Sequence, residues 1–212
     1  MTTLDRIKVK CGNCGKIQEK IIVMSTNSMG PCDFDLRPAP MMRNTLQYRV
    51  QFCEKCGYGA HNIENMDDET KEIVNSKEYQ EFIHSFVDSK TLMGYLGSYY
   101  VNLKKQYYRK AFYDILSASW VLDDLHSPLN VKTRLLGIKI IIDCEEKGFS
   151  LDDKAVVVDM LRRSGKFVEA ITLAKSMLEN EKLEKIIIDV LDYQIRFCNN
   201  KDTKCHSLGE IK

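Results

Sequence analysis

Cys11-Gly12-Asn13-Cys14-Gly15 and Cys53-Glu54-Lys55-Cys56-Gly57 repeat one short pattern: two cysteines separated by two residues, then a glycine. Eight cysteines and eleven glycines scattered over 212 positions would give two such quartets roughly once in ten thousand chains, so the pair reads as a metal site. Each turn presents two thiolates on one side of a tight loop, and two turns supply the four sulfur donors that tetrahedral zinc takes. The glycine after each second cysteine suits a turn that needs a positive φ and leaves backbone N–H groups free to point at sulfur. Cys11, Cys14, Cys53 and Cys56 are therefore expected to bind one structural zinc ion per chain. Four thiolates fill the tetrahedron, with no open position for water or substrate. A secreted disulfide framework is the competing reading. The opening residues, Met1-Thr2-Thr3-Leu4-Asp5-Arg6, lack the apolar core of an export signal, and single cysteines lie inside helical patterns, which argues against it. Neither pair precedes a thioredoxin-like helix, which argues against redox chemistry.

Outward from the cysteines, the pattern is that of strands. Arg6-Ile7-Lys8-Val9-Lys10 alternates into the first pair, residues 16–24 are rich in β-branched side chains, and Leu46, Tyr48, Val50 and Phe52 alternate with polar residues into the second pair. The gap of 38 residues between Cys14 and Cys53 exceeds the roughly 15–20 of a compact ribbon. Residues 25–45 hold three of the four prolines and read as a loop inserted at the hairpin. Within it, Asp33 and Asp35 alternate with Phe34 and Leu36, which places two carboxylates on one face of an extended segment. Arg37 and Arg43 are candidates to pair with them. These four residues form either a polar site or, on the reading favoured here, a brace that pins the loop to the helical region. Cys32 reads as an inert thiol. His61 follows the second turn and could replace a cysteine ligand, but the four cysteines suffice; His84 and His126 read as surface or helix-end groups, and Cys198 with Cys205-His206 lacks a fourth donor.

From about residue 66 the period changes from 2 to 3.6. Asp67-Asp68-Glu69-Thr70 and Ser76-Lys77-Glu78-Tyr79 look like capped helix starts. Leu92, Tyr95, Leu96, Tyr99, Tyr100 and Leu103 form one apolar stripe, and Tyr108, Ala111, Phe112, Ile115, Ser119 and Leu122 another. Ser127-Pro128 opens a helix that carries Leu135, Ile138 and Ile142 and ends at Gly148. Helices over 151–163, 167–178 and 181–197 complete the set, and short connections favour antiparallel neighbours. Around Gly165, a helix ends, turns, and a second begins with Phe167 three residues before Ala170, a spacing that resembles half of a tetratricopeptide repeat (TPR). The chain is therefore expected to be α+β and mostly α. A zinc-ribbon-like β domain occupies 1–65 with its loop at 25–45, a TPR-like antiparallel helical array occupies 66–200, and a C-terminal tail runs over 201–212.

Hydrophobic residues make up 44% and charged residues 29% of the chain, with a net charge of +1; that is a globular composition without a field to steer it onto nucleic acid. No apolar run approaches a spanning helix, so no membrane role and a cytoplasmic location are expected. Residues 1–60 carry +4 and the rest −3, a mild bias that keeps nucleic acid open as a partner of the ribbon. Six of the ten tyrosines fall between 95 and 113 among lysines and arginines, but Tyr95, Tyr99 and Tyr108 lie on core stripes, so packing accounts for them better than base stacking.

Several motifs together resemble a family of uncharacterised bacterial proteins that pair an N-terminal zinc-ribbon-like segment with a TPR-like helical region. These are the two Cys quartets, Ser25-Thr26-Asn27, Asp33-Phe34-Asp35-Leu36-Arg37-Pro38, Arg43, Tyr58-x-Ala60, Ser119-Trp120-x3-Asp124 and Asp202-Thr203-x2-His206-Ser207. The resemblance implies a bacterial, cytoplasmic protein with a four-cysteine metal site, and it imports no activity. Cys32 is a departure from the family pattern. The expected function is a non-catalytic, zinc-stabilised adaptor that binds a protein partner through its helical domain. The alternatives are a nucleic-acid-binding ribbon and, more weakly, an enzyme built on Asp33, Asp35 and Arg37.

Overall fold

The computed structural model describes residues 2–86, 89–144, 148–179 and 182–211. The chain divides into two compact units. One comprises Met1–Asn27 and Met42–Asn130, the other Ser28–Met41 and Val131–Lys212. The expected division near residue 65 does not coincide with this one: the cysteine-bearing strands share a unit with the helices that follow them, and most of the inserted loop belongs with the C-terminal helices.

In the first unit, β1 (Thr3–Lys10) and β2 (Ile17–Ser25) pair antiparallel, with Lys10 opposite Ile17, Lys8 opposite Glu19 and Arg6 opposite Ile21. The first Cys quartet is the turn between them. β3 (Gln51–Phe52) and β4 (Gly59–Ala60) form a second, shorter antiparallel pair around the second quartet. The strand expected from Leu46 is a correction. A one-turn helix, α1 (Pro40–Arg43), ends the loop, and Leu46–Tyr48 form a 3-10 turn, so only Gln51–Phe52 is strand. Leu46, Val50 and Phe52 are buried as expected, because one turn followed by two extended residues brings the same positions inward as alternation would.

Helices α2 (Asp68–Asn75), α3 (Lys77–His84), α4 (Lys90–Lys104) and α5 (Tyr108–Asp124) complete this unit. The Asp67 and Ser76 side chains accept from the N–H groups of Thr70 and Tyr79, as their sequence positions predict. His84 is the last residue of α3, and His126 lies beyond α5 with a φ of 50°. α4 packs on α5 and on both β3 and β4, so it is buried well beyond its expected stripe, Gly94, Gly97 and Ser98 included. A Cβ on Gly97 would lie 2.4 Å from the Tyr79 hydroxyl and 2.9 Å from the Gly59 Cα. The glycines let strand backbone cross helix backbone where any side chain would force them apart.

The boundary between units falls in the first turn of α6 (Leu129–Asp143). The second unit continues through α7 (Leu151–Arg163), α8 (Phe167–Leu178) and α9 (Lys185–Asn199), whose members pack on one another. The bounds of α7 and α8 match the sequence reading. α9 starts at Lys185 rather than 181, and Glu181 lies outside the described residues. α6 ends five residues short of Gly148; residues 145–147 also lie outside them. Ala170 and Ala174 are fully buried and let α8 approach its neighbours closely. The C-terminal segment is not a loose tail among its described residues. Phe34 N–H donates to the His206 carbonyl at 3.0 Å, and Leu208 N–H to the Cys32 carbonyl at 2.9 Å, so the loop and the C-terminal segment are bridged by backbone bonds.

Candidate metal centre

The four quartet cysteines converge. Their Sγ atoms all lie within 4.8 Å of one another, with Cys11–Cys56 and Cys14–Cys53 each at 3.6 Å. A disulfide needs about 2.05 Å, and all four thiols are free. For metal–sulfur bonds of about 2.3 Å, the edge of a tetrahedron is about 3.8 Å, so these sulfurs stand close to where a tetrahedral ion would hold them. The cluster suits a metal ion in donor type, number and spacing.

The two turns that present them are near copies. Gly15 N–H donates to the Cys11 carbonyl and Gly57 N–H to the Cys53 carbonyl, both at 2.9 Å, while Cys11 N–H reaches Lys16 and Cys53 N–H reaches Tyr58. Gly15 and Gly57 have φ of 71° and 74°, the left-handed conformation anticipated for them. Burial pushes the Cys11 thiol up and Cys56 further up, against backbone N–H groups that point at both sulfurs. Cys53 is also buried, yet the N–H groups of Cys56 and Lys55 and bonds from the neighbouring thiols bring it down. A bound cation adds a stronger force in the same direction, because coordinated thiols lose their protons.

A surrounding layer fixes the turns. The Asn13 and Asn75 amides exchange hydrogen bonds at 3.0 and 3.1 Å, tying the first turn to the end of α2. Gln80 Nε2 donates to the Cys56 carbonyl at 3.0 Å, and the Tyr79 hydroxyl to the Gly57 carbonyl at 2.8 Å, tying the second to α3. These contacts explain why cysteine turns and helices α2 to α4 fall in one unit.

The loop residues singled out in the sequence have other partners. Asp35, 1% exposed, accepts from Arg163 Nη1 at 2.7 Å and from the Arg37 N–H at 3.1 Å. Asp33, also buried, accepts from the Cys205 thiol at 3.0 Å. Burial and the adjoining Asp33 push that thiol up to about 12. Arg43 belongs to the other unit. Asp33 and Asp35 each accept from a side chain of the C-terminal part of the same unit, Cys205 and Arg163 respectively. The third carboxylate of this region, Asp159, sits with Gln194 around Arg162, which is wholly buried and also donates to the carbonyls of Asp202 and Lys204.

Sequence reading missed one arrangement outright. His61 is 5 residues past the second turn and is not a ligand. Its Nε2 lies 2.7 Å from Asp114 and its Nδ1 2.7 Å from the Arg49 carbonyl. A carbonyl only accepts, so Nδ1 carries a proton; a carboxylate accepts as well, so Nε2 carries the other. Two acceptors on the ring favour its doubly protonated form, and the bond to Asp114 raises its pKa above the usual value. Ser98 and Asn102 donate to the second Asp114 oxygen. The couple has the outline of a catalytic dyad and borders a cavity of about 510 Å³. Both ring nitrogens are occupied, however, so neither offers a lone pair to take a proton or bind a metal. Asp114 looks like an outward polar position between two apolar residues of α5, and nothing local marks it as buried.

Among the described residues, no helix is long and apolar enough to cross a membrane. A family model described as an uncharacterised protein conserved in bacteria (DUF2225) matches residues 6–126, more than half of the chain. No curated protein and no solved structure matches.

Proposed function

Since the chain belongs to this family of uncharacterised bacterial proteins, whose description carries no activity, we propose its function from its surfaces: it is a non-catalytic adaptor, stabilised by one zinc ion, that receives a protein partner on its C-terminal helices. Zinc fits best because four thiolates are its preferred structural set and complete its tetrahedron. A complete shell supports folding and leaves no site for reaction.

The observation that carries the adaptor reading is an apolar groove of about 630 Å³ in the second unit, between α6, α7 and α8. Its walls include Ile142, 67% exposed, and Val168, 75% exposed. Large aliphatic side chains that converge on one groove mark an interaction site more often than a solvated face. Lys154, Lys166 and Glu169 border the groove, Lys166 and Glu169 lying 3.7 Å apart, so the partner that suits it is an amphipathic helix with mixed polar residues beside its apolar stripe. The mutual packing of α7, α8 and α9 supports the TPR-like reading of this array. The test compares wild type with Ile142→Asp and Val168→Asp in a pull-down with quantitative mass spectrometry. Proteins retained by wild type should be lost from both variants, while circular dichroism stays unchanged. An identical retained set in all three would sink the groove as the docking site.

A further inference from the structure

We propose a second interaction surface, in the first unit: the outer edge of β1 accepts an extended, acidic segment of a partner protein as an added strand. Among the described residues, β1 pairs only with β2. Cys11 N–H donates inward to Lys16, and Lys10, opposite Ile17, is the next position along. Antiparallel pairs alternate between bonded and non-bonded, so Lys10, Lys8 and Arg6 turn their backbone groups away from β2. The Lys10 N–H meets the Glu64 carboxylate at 3.1 Å and the Arg6 N–H meets Asp5 Oδ1 at 2.7 Å. Both partners are side chains of this chain, exchangeable caps that the backbone carbonyls of an incoming strand would displace.

The side chains point to the same chemistry. Arg6, Lys8 and Lys10 lie on one face of the hairpin and are all exposed, repeating every two residues, or about 6.8 Å. Across from them stand Ile21, Glu19 and Ile17, also exposed, and Arg6 Nη1 already meets Glu19 Oε1 at 3.0 Å, so Lys8 and Lys10 carry the charge offered to an added strand. An added strand would place its own alternate side chains beside this cationic row, where opposite charges stabilise and like charges repel. That pairing rule disfavours a second copy of this chain, since two β1 edges would set cationic rows against each other. Single-stranded nucleic acid is disfavoured by the lack of any aromatic residue on β1 or β2, which leaves no stacking platform. The competing account of lysines on an edge strand is protection against aggregation.

The experiment is fluorescence anisotropy on the full, metal-loaded chain with a short fluorescein-labelled peptide of alternating Glu and Val. Three comparison probes are the same peptide N-methylated on the amides of one edge, phosphatidylserine vesicles and duplex DNA. The expected result is binding that weakens with salt. Lys8→Glu should weaken it roughly tenfold, as replacement of attraction by repulsion in cross-strand pairs implies. Methylation along the docking edge should abolish it, because strand addition needs those N–H groups. Circular dichroism of the variant should match wild type. No peptide binding, equal binding of the methylated peptides, no effect of Lys8→Glu, or preference for vesicles or DNA would each overturn the proposal. No peptide binding would leave the row as a guard against edge pairing.

Discussion

The two units order irregular backbone by different means. In the first, residues 11–16 and 53–58 are held by four convergent thiols and the glycine turns beneath them. In the second, residues 28–41 are held by buried side chains at 128 residues' remove, such as Asp35 on Arg163. The first device is local in chemistry and, on the zinc proposal, its strength would vanish with the ion. The second needs no cofactor but depends on charge balance in a dry interior, where loss of either partner strands the other. The comparison says which unit should fail under which insult.

The largest contrast should come from metal removal. Protein purified without added metal should carry close to one zinc per chain by elemental analysis. Structural zinc supplies about 10–16 kcal/mol of apparent binding energy in small domains, far more than any single contact in either unit. Chelation should therefore expose backbone amides of β1 to β4 and of α2 to α4 in hydrogen exchange, since Asn75, Tyr79 and Gln80 bind directly to the cysteine turns. α7 to α9 should keep their protection. Uniform loss across both units would mean that they unfold as one. Unchanged exchange would mean that the cluster does not brace the fold.

A smaller effect should separate the units in the opposite sense. Arg163→Met removes the guanidinium from a carboxylate that is 1% exposed. Breaking a buried pair from one side costs about 3–5 kcal/mol, so the melting temperature should fall markedly while zinc content stays constant. Asp35→Asn should be milder, because an amide oxygen still accepts from the Arg37 N–H. Exposed pairs contribute roughly 0–1 kcal/mol. A change of that size in Arg163→Met, measured by thermal denaturation, would show that the loop is held by something other than this pair.

What was legible in the sequence follows the range of the forces involved. The cysteine turns, the Asp67 and Ser76 caps and the limits of α7 and α8 are set by residues within one or two turns of each other, and those readings match the structure. Where contacts span the chain, local pattern carried no signal. Nothing near Asp35 indicates Arg163, and nothing near Asp114 indicates His61, 53 residues earlier. The supposed strand at Leu46–Tyr48 shows the related weakness that a short alternation fits a turn followed by two extended residues equally well. Glycine inside a helix is ordinarily unfavourable, and Gly94 and Gly97 stand in the middle of α4. Only the crossing β-strands reveal why small residues stand there.

The mildest expected effect belongs to the clasp between His61 and Asp114, which lies in the first unit yet acts by charge rather than by metal. The folded pKa of His61 is raised, first by the bond to Asp114 and against the effect of burial. The unfolded value is about 6.5. Because the folded value is the higher, the clasp contributes fully below about pH 6.5 and its contribution is lost as pH rises through the folded value. The imidazole side chain is 56% exposed, so solvent screening should hold the contribution to about 1 kcal/mol or less. Melting temperature should accordingly decline gently as pH is raised from 6 towards 9, and His61→Gln should flatten that decline, since a neutral amide has no proton to lose. Proton NMR of the His61 ring should give a midpoint above that of the unfolded chain. A midpoint below it would mean that burial outweighs the carboxylate, and the slope of stability with pH in this unit would then reverse.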